Sequence, residues 1–401
     1  MGERLRVIVS GMIAADPNQG GATWAVLQYV LGLRELGHHV ILIEPLPQHT
    51  RGSGSGPIAQ SIHADYFRQV ARRFDLASHA ALVDQGTDET AGLSYGALVA
   101  AARDADLLIN ISGMLTDPRL LEPIPRRLYL DLDPAFNQLW HAAEGVDLRF
   151  DGHTHFATVG GLIGTDGCGV PTCGRAWLPT LQPVVLSEWP LTPGRRDAPW
   201  TTVGNWRGYG SIHYRGVMYG QRAHSFRAFF DLPKRTGSRL EPALSIHPGE
   251  VKDLAAFSAH GWTLADPSVA ATPDGYRQFI QTSKGELGIA KSGYVESQCG
   301  WFSDRSVCYL ASGRPVVAQD TGFGACVATG AGLFAFRTAQ DAADAIETVN
   351  GAYDAHCRWA RQLAEAQFRS DLVLNTLLAR VGGADDTASQ CTTLALGRSI
   401  G

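Results

Sequence analysis

The sequence predicts an α/β protein made of two open, mostly parallel-sheet domains. Three observations carry this. Short apolar runs alternate with segments of helical periodicity along the chain. The chain has 401 residues, enough for more than one core. Near its middle, Ser187 to Trp200 holds Pro190, Pro193, Pro199 and Gly194, the composition of a linker. The expected division is an N-terminal domain over 1–186, a linker over 187–200, a second domain over 201–370, and a terminal helix with a flexible tail over 371–401.

The first unit is the clearest. Leu5 to Val9 reads as a strand, and Ser10 to Gly21 as a polar loop ending in Gly20-Gly21. Ala22, Ala25, Val26, Tyr29, Val30, Leu33 and Leu36 then recur at helical spacing, and Gly37 stops the helix. His39 to Ile43 is the second strand. Arg51 to Pro57, rich in Gly and Ser, reads as a flexible loop. Further strands are expected at Ala105 to Ile111, Arg127 to Leu132 and Phe156 to Val159.

In the second block, strands are expected at Thr201 to Val203, Leu244 to Ile246, Trp262 to Leu264 and Gly332 to Phe336. Thr272 followed by Pro273 marks a helix start. Thr338 with Asp341 forms the pattern of a capping box for a helix over Ala339 to Val349. Helices are also expected over about Ala355 to Phe368 and Asp371 to Arg380.

Composition excludes several classes. Hydrophobic residues make up 45% and charged residues 18%, with a formal net charge of -5. Lys and Arg are scattered, so no nucleic-acid footprint appears. No apolar run is long enough for a membrane span. A strand begins almost at once, so no signal peptide is expected. The seven cysteines are dispersed, and Cys168 and Cys173 have no second pair at zinc spacing. No metal is expected; reduced thiols, a cytoplasmic location and a monomer or homodimer are.

The segment Cys299 to Ser306, running on through Gly313 to Val317, carries the strongest chemical signal. It reads as a loop, a capped helix and a buried strand. Ser303 suits the N-cap, Asp304 the positive end of the helix, and Gly313 the left-handed stop. A helix start after a Gly-containing loop offers free N–H groups to phosphate. Arg305 adds a permanent charge beside Ser306. Two open α/β domains place a ligand in the cleft between them, at the carboxyl ends of the strands.

Three local features resemble a GT-B glycosyltransferase, a fold of two Rossmann-like domains facing each other across a cleft. The first is Gly20-Gly21 between the first strand and helix, with Arg34 to His38 before the second strand. The second is Gln298-Cys299-Gly300-Trp301-Phe302-Ser303, similar to the His-Cys-Gly-Trp-Asn-Ser core of plant-type inverting sugar transferases. The third is Leu310 to Val317 with the following Ala318-Gln319-Asp320-Thr321-Gly322. It resembles the small-Gly-x-Pro-Val-Val element and donor-sugar loop of many sugar transferases. The Glu-x7-Glu signature of many retaining members is absent, and Cys308 stands where its second Glu falls.

The resemblance implies metal-independent transfer from a nucleotide-diphosphate sugar, as co-substrate, to a hydroxyl or amine of a small acceptor. It points towards inversion and an actinobacterial-type natural-product or metabolite enzyme. For the diphosphate it implies Ser303, Asp304, Arg305 and Ser306 at the helix start, with Gly20, Gly21, Arg207 and Lys284 (or Lys291) as further contacts. Arg222 lies in the same Gly- and Tyr-rich stretch as Arg207. For the sugar it implies Asp320, Thr321 and Gly322. Asp133, at the end of the acidic strand Leu128 to Pro134, is one candidate base, and His155 and His153 are others, with Asp16 a further option. Alternatives are a GT-B-type epimerase or phosphorylase, a non-catalytic nucleotide-sugar-binding protein, and a dehydrogenase whose Glu44 would hold ribose.

Overall fold

Apolar strands followed by amphipathic helices can bury both sheet faces only by laying helices on each side. The computed structural model describes residues 4–51 and 56–383. The glycine-rich stretch 52–55 and the tail from 384 onward, both expected to be flexible, lie outside the described residues.

The first domain holds β1 (Arg6–Ser10), β2 (His39–Leu46), β3 (Ala80–Asp84), β4 (Thr90–Gly92), β5 (Leu107–Ile111), β6 (Arg126–Asp131), β7 (His155–Thr158) and β8 (Trp177–Pro179). Their order is β4-β3-β2-β1-β5-β6-β7-β8, parallel throughout except for β3 with β4. The order turns at β1, which opens a crevice at the carboxyl ends of β1 and β5.

The second domain holds β9 (Trp200–Thr201), β10 (Val203–Asn205), β11 (Ile212–Tyr214), β12 (Val217–Tyr219), β13 (Ala243–Ser245), β14 (Gly285–Gly288), β15 (Val316–Gln319) and β16 (Leu333–Phe336). A parallel sheet runs β16-β15-β14-β9, and β10 pairs with β13 in parallel. β11 and β12 form an antiparallel hairpin.

Six helices matter for the site: α1 (Gly20–Glu35), α2 (Phe136–Glu144), α3 (Pro273–Thr282), α4 (Asp304–Ala311), α5 (Ala339–Gly351) and α6 (Ser370–Val381). Local chemistry explains their ends. Thr272 accepts the Gly275 N–H with Pro273 at the first helical position. Thr338 and Asp341 make both bonds of the capping box at α5. Gly313 takes φ +72° after α4.

Two expectations need correction. Residues 262–264 form no strand. They are apolar because Trp262 is buried and sends its indole N–H to the Phe230 carbonyl at 2.9 Å. The proline-rich segment is anchored along its length. The fully buried Arg314 guanidinium pins it, donating to the carbonyls of Thr192, Pro193 and Gln281, and Trp189 packs edge-on against Trp24 at 5.0 Å. Cys326 is disulfide-bonded, against the expectation of reduced thiols throughout. Among the described residues no helix is long and apolar enough to cross a membrane.

The last helix of the described residues returns to the first domain. Leu374, Leu377 and Val381 of α6 share a core with Leu27, Val30 and Leu33 of α1. Val184 and the Phe368–Ser370 turn exchange backbone bonds of 2.7 and 3.0 Å on the way.

The two domains touch at the start of α1. A Cβ on Gly20 would lie 2.5 Å from the carbonyl oxygens of Ala270 and Thr272, and Trp24 sends its indole N–H to the Pro273 carbonyl at 2.8 Å. Gly20→Ala is expected to cost about 1–3 kcal/mol, because backbone cannot yield as a side chain can. Gly21→Ala should cost less, since its neighbour is the Tyr276 ring at 3.0 Å. Urea unfolding of both variants checks this; parental stability in Gly20→Ala would show that the domains do not need this approach.

Candidate active site

A cavity of about 820 Å³ opens between the domains. The first domain contributes Asn18 to Ala22, Gln28, Tyr29 and Asp133; the second contributes Tyr209, Arg222, Lys291, Tyr294, Asp304 and Arg305, among others.

Asp133 stands two residues beyond β6, in the turn to α2, and reaches across the cleft. One carboxylate oxygen accepts the Tyr209 hydroxyl at 2.5 Å. The other accepts the Tyr294 hydroxyl and the Lys291 ammonium, the latter at 3.3 Å. Lys291 also donates to the Tyr209 hydroxyl and lies 4.1 Å from that ring's centre. Burial pushes the Lys291 pKa down, and Asp133 opposes the shift. Burial also raises the Tyr209 and Tyr294 hydroxyls well above their ordinary range. Trp301 stacks on Tyr294 with centroids 3.9 Å apart.

Behind Asp133 lies Asp131, the last residue of β6 and fully buried. It accepts hydrogen bonds from Asn137, Gln138, Thr158 and the Asp133 N–H. Burial pushes its carboxyl up to about 6 despite those donors.

The second domain supplies positive charge. Arg305, in the first turn of α4, pairs with the buried Glu286 on β14 and donates to the Val203 carbonyl at 3.1 Å. Arg222 is 6% exposed and donates to the carbonyls of Ile289 and Asn205. It has no carboxylate partner among the described residues. Burial lowers its pKa to about 9, with nearby Arg305 adding to the shift. A buried guanidinium without a counter-charge favours an anion in the adjoining cavity.

Ser303 is the N-cap residue of α4, but its side chain makes no cap bond. Its hydroxyl instead lies 3.4 Å from Asp304, whose carboxylate accepts from the backbone N–H groups of Asp304 and Arg305. Asp304 lines the cavity, and burial raises its pKa. Ser306 is buried and is not part of the cavity lining.

Several expected site residues stand elsewhere. Arg207 pairs with Glu250, while its neighbours Gly208 and Tyr209 line the cleft. Lys284 lies over the Tyr353 ring at 5.6 Å, in a separate groove. Asp320 accepts the Gly322 N–H at 2.9 Å and pairs with Arg337, and Thr321 donates to the Trp301 carbonyl. Asp320, Thr321 and Gly322 thus shape a turn outside the cavity lining.

His155 is the first residue of β7, at the sheet edge opposite the turn that carries Asp133. His153 meets Asn110 at 3.0 Å and packs on Tyr129. Neither lines the cavity, because β7 is parallel to β6 and begins at the far edge. Asp16 is exposed on the loop after β1. Glu44 is no ribose ligand: it is buried, and its carboxylate accepts the N–H groups of Ala14 and Ala15 at 2.8 and 2.7 Å. Burial pushes it up to about 7 against those amides. Sequence reasoning did not single out Tyr209, Tyr294 or Glu286 for the site. Among the described residues no group of three or more His, Cys, Asp or Glu could hold a metal.

Arg305→Met is expected to destabilise by about 3–5 kcal/mol, since it strands the Glu286 charge in the interior. Adding Glu286→Leu should recover part of that loss. Chemical denaturation of the single and double variants measures it; a double variant less stable than Arg305→Met would contradict the pairing.

No protein-family model matches the sequence, and no curated protein is significantly similar to it. Solved structures are similar in shape. The crystal structure of Anabaena Alr3699/HepE in complex with UDP-glucose is similar with a TM-score of 0.55 at 10% identity, over 94% of this chain and 99% of that one. An α-glucosyltransferase in complex with UDP and a 13-mer DNA containing an HMU base gives 0.57 at 11% identity, over 94% and 99%. Sucrose-phosphate synthase from Thermosynechococcus elongatus gives 0.51 at 11% identity, over 94% and 100%. The chain has the GT-B fold of these transferases.

Proposed function

We propose that the protein is a glycosyltransferase that moves a sugar from a nucleotide-diphosphate sugar, with UDP as its nucleotide, to a hydroxyl or amine of a small acceptor. One observation carries the reading. Across one interdomain cavity, Arg222, Arg305 and Lys291 of the second domain face a carboxylate, Asp133, held at the carboxyl edge of the first. The UDP-glucose in one similar structure and the UDP in another support the choice of donor.

In this reading the diphosphate lies against Arg222, the start of α4 and Arg305. These charges are fixed before the reaction and stabilise the leaving group as its bond to the sugar breaks. Lys291 adds a proton-bearing cation on the same side. The acceptor enters along Asn18 to Ala25 and displaces a tyrosine hydroxyl from Asp133. The freed carboxylate oxygen then takes the acceptor's proton as its oxygen or nitrogen attacks the anomeric carbon, which gives inversion. Neither step uses a metal ion. The first-domain wall carries small and amide side chains and no Lys or Arg, which suits a metabolite or natural product better than a polyanion.

A thermal-shift panel of UDP, GDP, TDP and UDP-glucose tests the donor. UDP and UDP-glucose at about 100 times Kd should stabilise by about 2.7 kcal/mol, seen as a rise in Tm. Arg222→Ala should lose most of that rise. Asp133→Asn should keep it while transfer falls by about 10²-fold or more. No shift with any nucleotide would overturn the reading.

A further inference from the structure

We infer that Asp131 is a positioning residue for the transfer step: its buried carboxylate fixes the turn that aims Asp133 into the cleft. This rests on the reading of Asp133 as the acceptor's base.

The geometry is specific to that turn. One Asp131 oxygen accepts the Asn137 amide at 2.7 Å and the Asp133 backbone N–H at 3.1 Å. The other accepts the Gln138 amide and the Thr158 hydroxyl, both at 2.8 Å. The carboxylate therefore ties Asp133, the first turn of α2 and the end of β7 to a single point. Between these anchors the chain is tightly constrained. Pro134 fixes its own φ, and Ala135 sits at φ +68°, ψ −51°, a conformation that costs a non-glycine residue energy. Behind it, a Cβ on Gly160 would come within 2.7 Å of Pro134, so the turn cannot relax backwards.

Stability alone gives no reason for a charge there. Asp131 is 0% exposed, and none of its four hydrogen-bond donors is a cation. Such a carboxylate is costly to bury. Yet only a carboxylate accepts from four donors at once; an Asn side chain would turn its own N–H groups towards the Asn137 or Gln138 amide. The cost is explained if the turn's geometry, rather than its stability, is what Asp131 secures.

The test compares Asp131→Asn and Asp133→Asn in the full chain. Transfer is measured with the donor found by the thermal-shift panel and a set of phenolic and sugar acceptors, alongside the rise in Tm with UDP. Asp131→Asn should lower kcat for transfer about tenfold or more, as expected for a misplaced catalytic group. The donor KM and the rise in Tm with UDP should stay near parental values. A purely structural role would lower transfer and nucleotide binding together, and that outcome overturns the inference, as does parental transfer.

A second arm needs no substrate. Lys291 is shielded by its contact with Asp133, so Asp131→Asn should raise its acetylation by acetic anhydride several-fold, while Lys234, Lys252 and Lys284 react as before. An unchanged Lys291, or an equal rise at all four, overturns the inference. If Asp131→Asn fails to fold, Gln138→Met and Thr158→Val each remove one donor. Each should lower transfer with the rise in Tm with UDP retained, and parental transfer in both overturns the inference. Transfer that survives Asp133→Asn removes the base reading and this inference with it, and is told apart by that variant alone.

Discussion

The close approach of the two domains is the constraint on which the candidate site depends. Two of its contacts lie where a side chain would intrude. Gly20 lies against the carbonyls of Ala270 and Thr272, and Gly293 lies against the Phe136 ring, where a Cβ would come within 2.4 Å. Between these points the Asp133 carboxylate spans the gap to Tyr209, Lys291 and Tyr294. Separate the domains by a side chain's width and these partners part. The cavity would then lose the wall that excludes water from its charges.

The cations of the cavity come from one domain. Arg222, Arg305 and Lys291 all belong to the second domain, and Asp133 to the first. Each cation is held by a different means: Glu286 orients Arg305, backbone carbonyls orient Arg222, and tyrosine rings and Asp133 hold Lys291. Only Arg222 lacks a carboxylate within bonding reach. It is therefore the one whose charge is least compensated by the protein, and most available to an anion.

Much of the fold was legible in local sequence. Thr338 with Asp341, Thr272 with Pro273 and Gly313 are short-range signals, and each sits at the helix end it marks. The position of Asp133 was legible for a similar reason, since a strand ending in Asp-Leu-Asp-Pro puts a carboxylate in the following turn. What was not legible needs the third dimension. Tyr209 and Tyr294 are separated from Asp133 by 76 and 161 residues in the chain, and they meet it only because the domains close. His153 and His155 stand at the opposite edge of the sheet from Asp133, because they come at the start of a strand and Asp133 follows the end of its parallel neighbour. Glu44 looked like a ligand at the end of a strand, but its partners are the amides of the loop after β1, a pairing that no spacing reveals.

The return of α6 to the first domain has a consequence for how the chain is made. Its Leu374, Leu377 and Val381 complete a core whose other half, on α1, is synthesised long before them. The groove on α1 that they fill stays open while the whole second domain is being translated. The second domain's sheet, by contrast, closes within a continuous run from Trp200 to Phe336. The first domain therefore cannot complete the core around α1 until residues 370–381 have left the ribosome. Until then the nascent chain carries an apolar groove of the kind that chaperones bind.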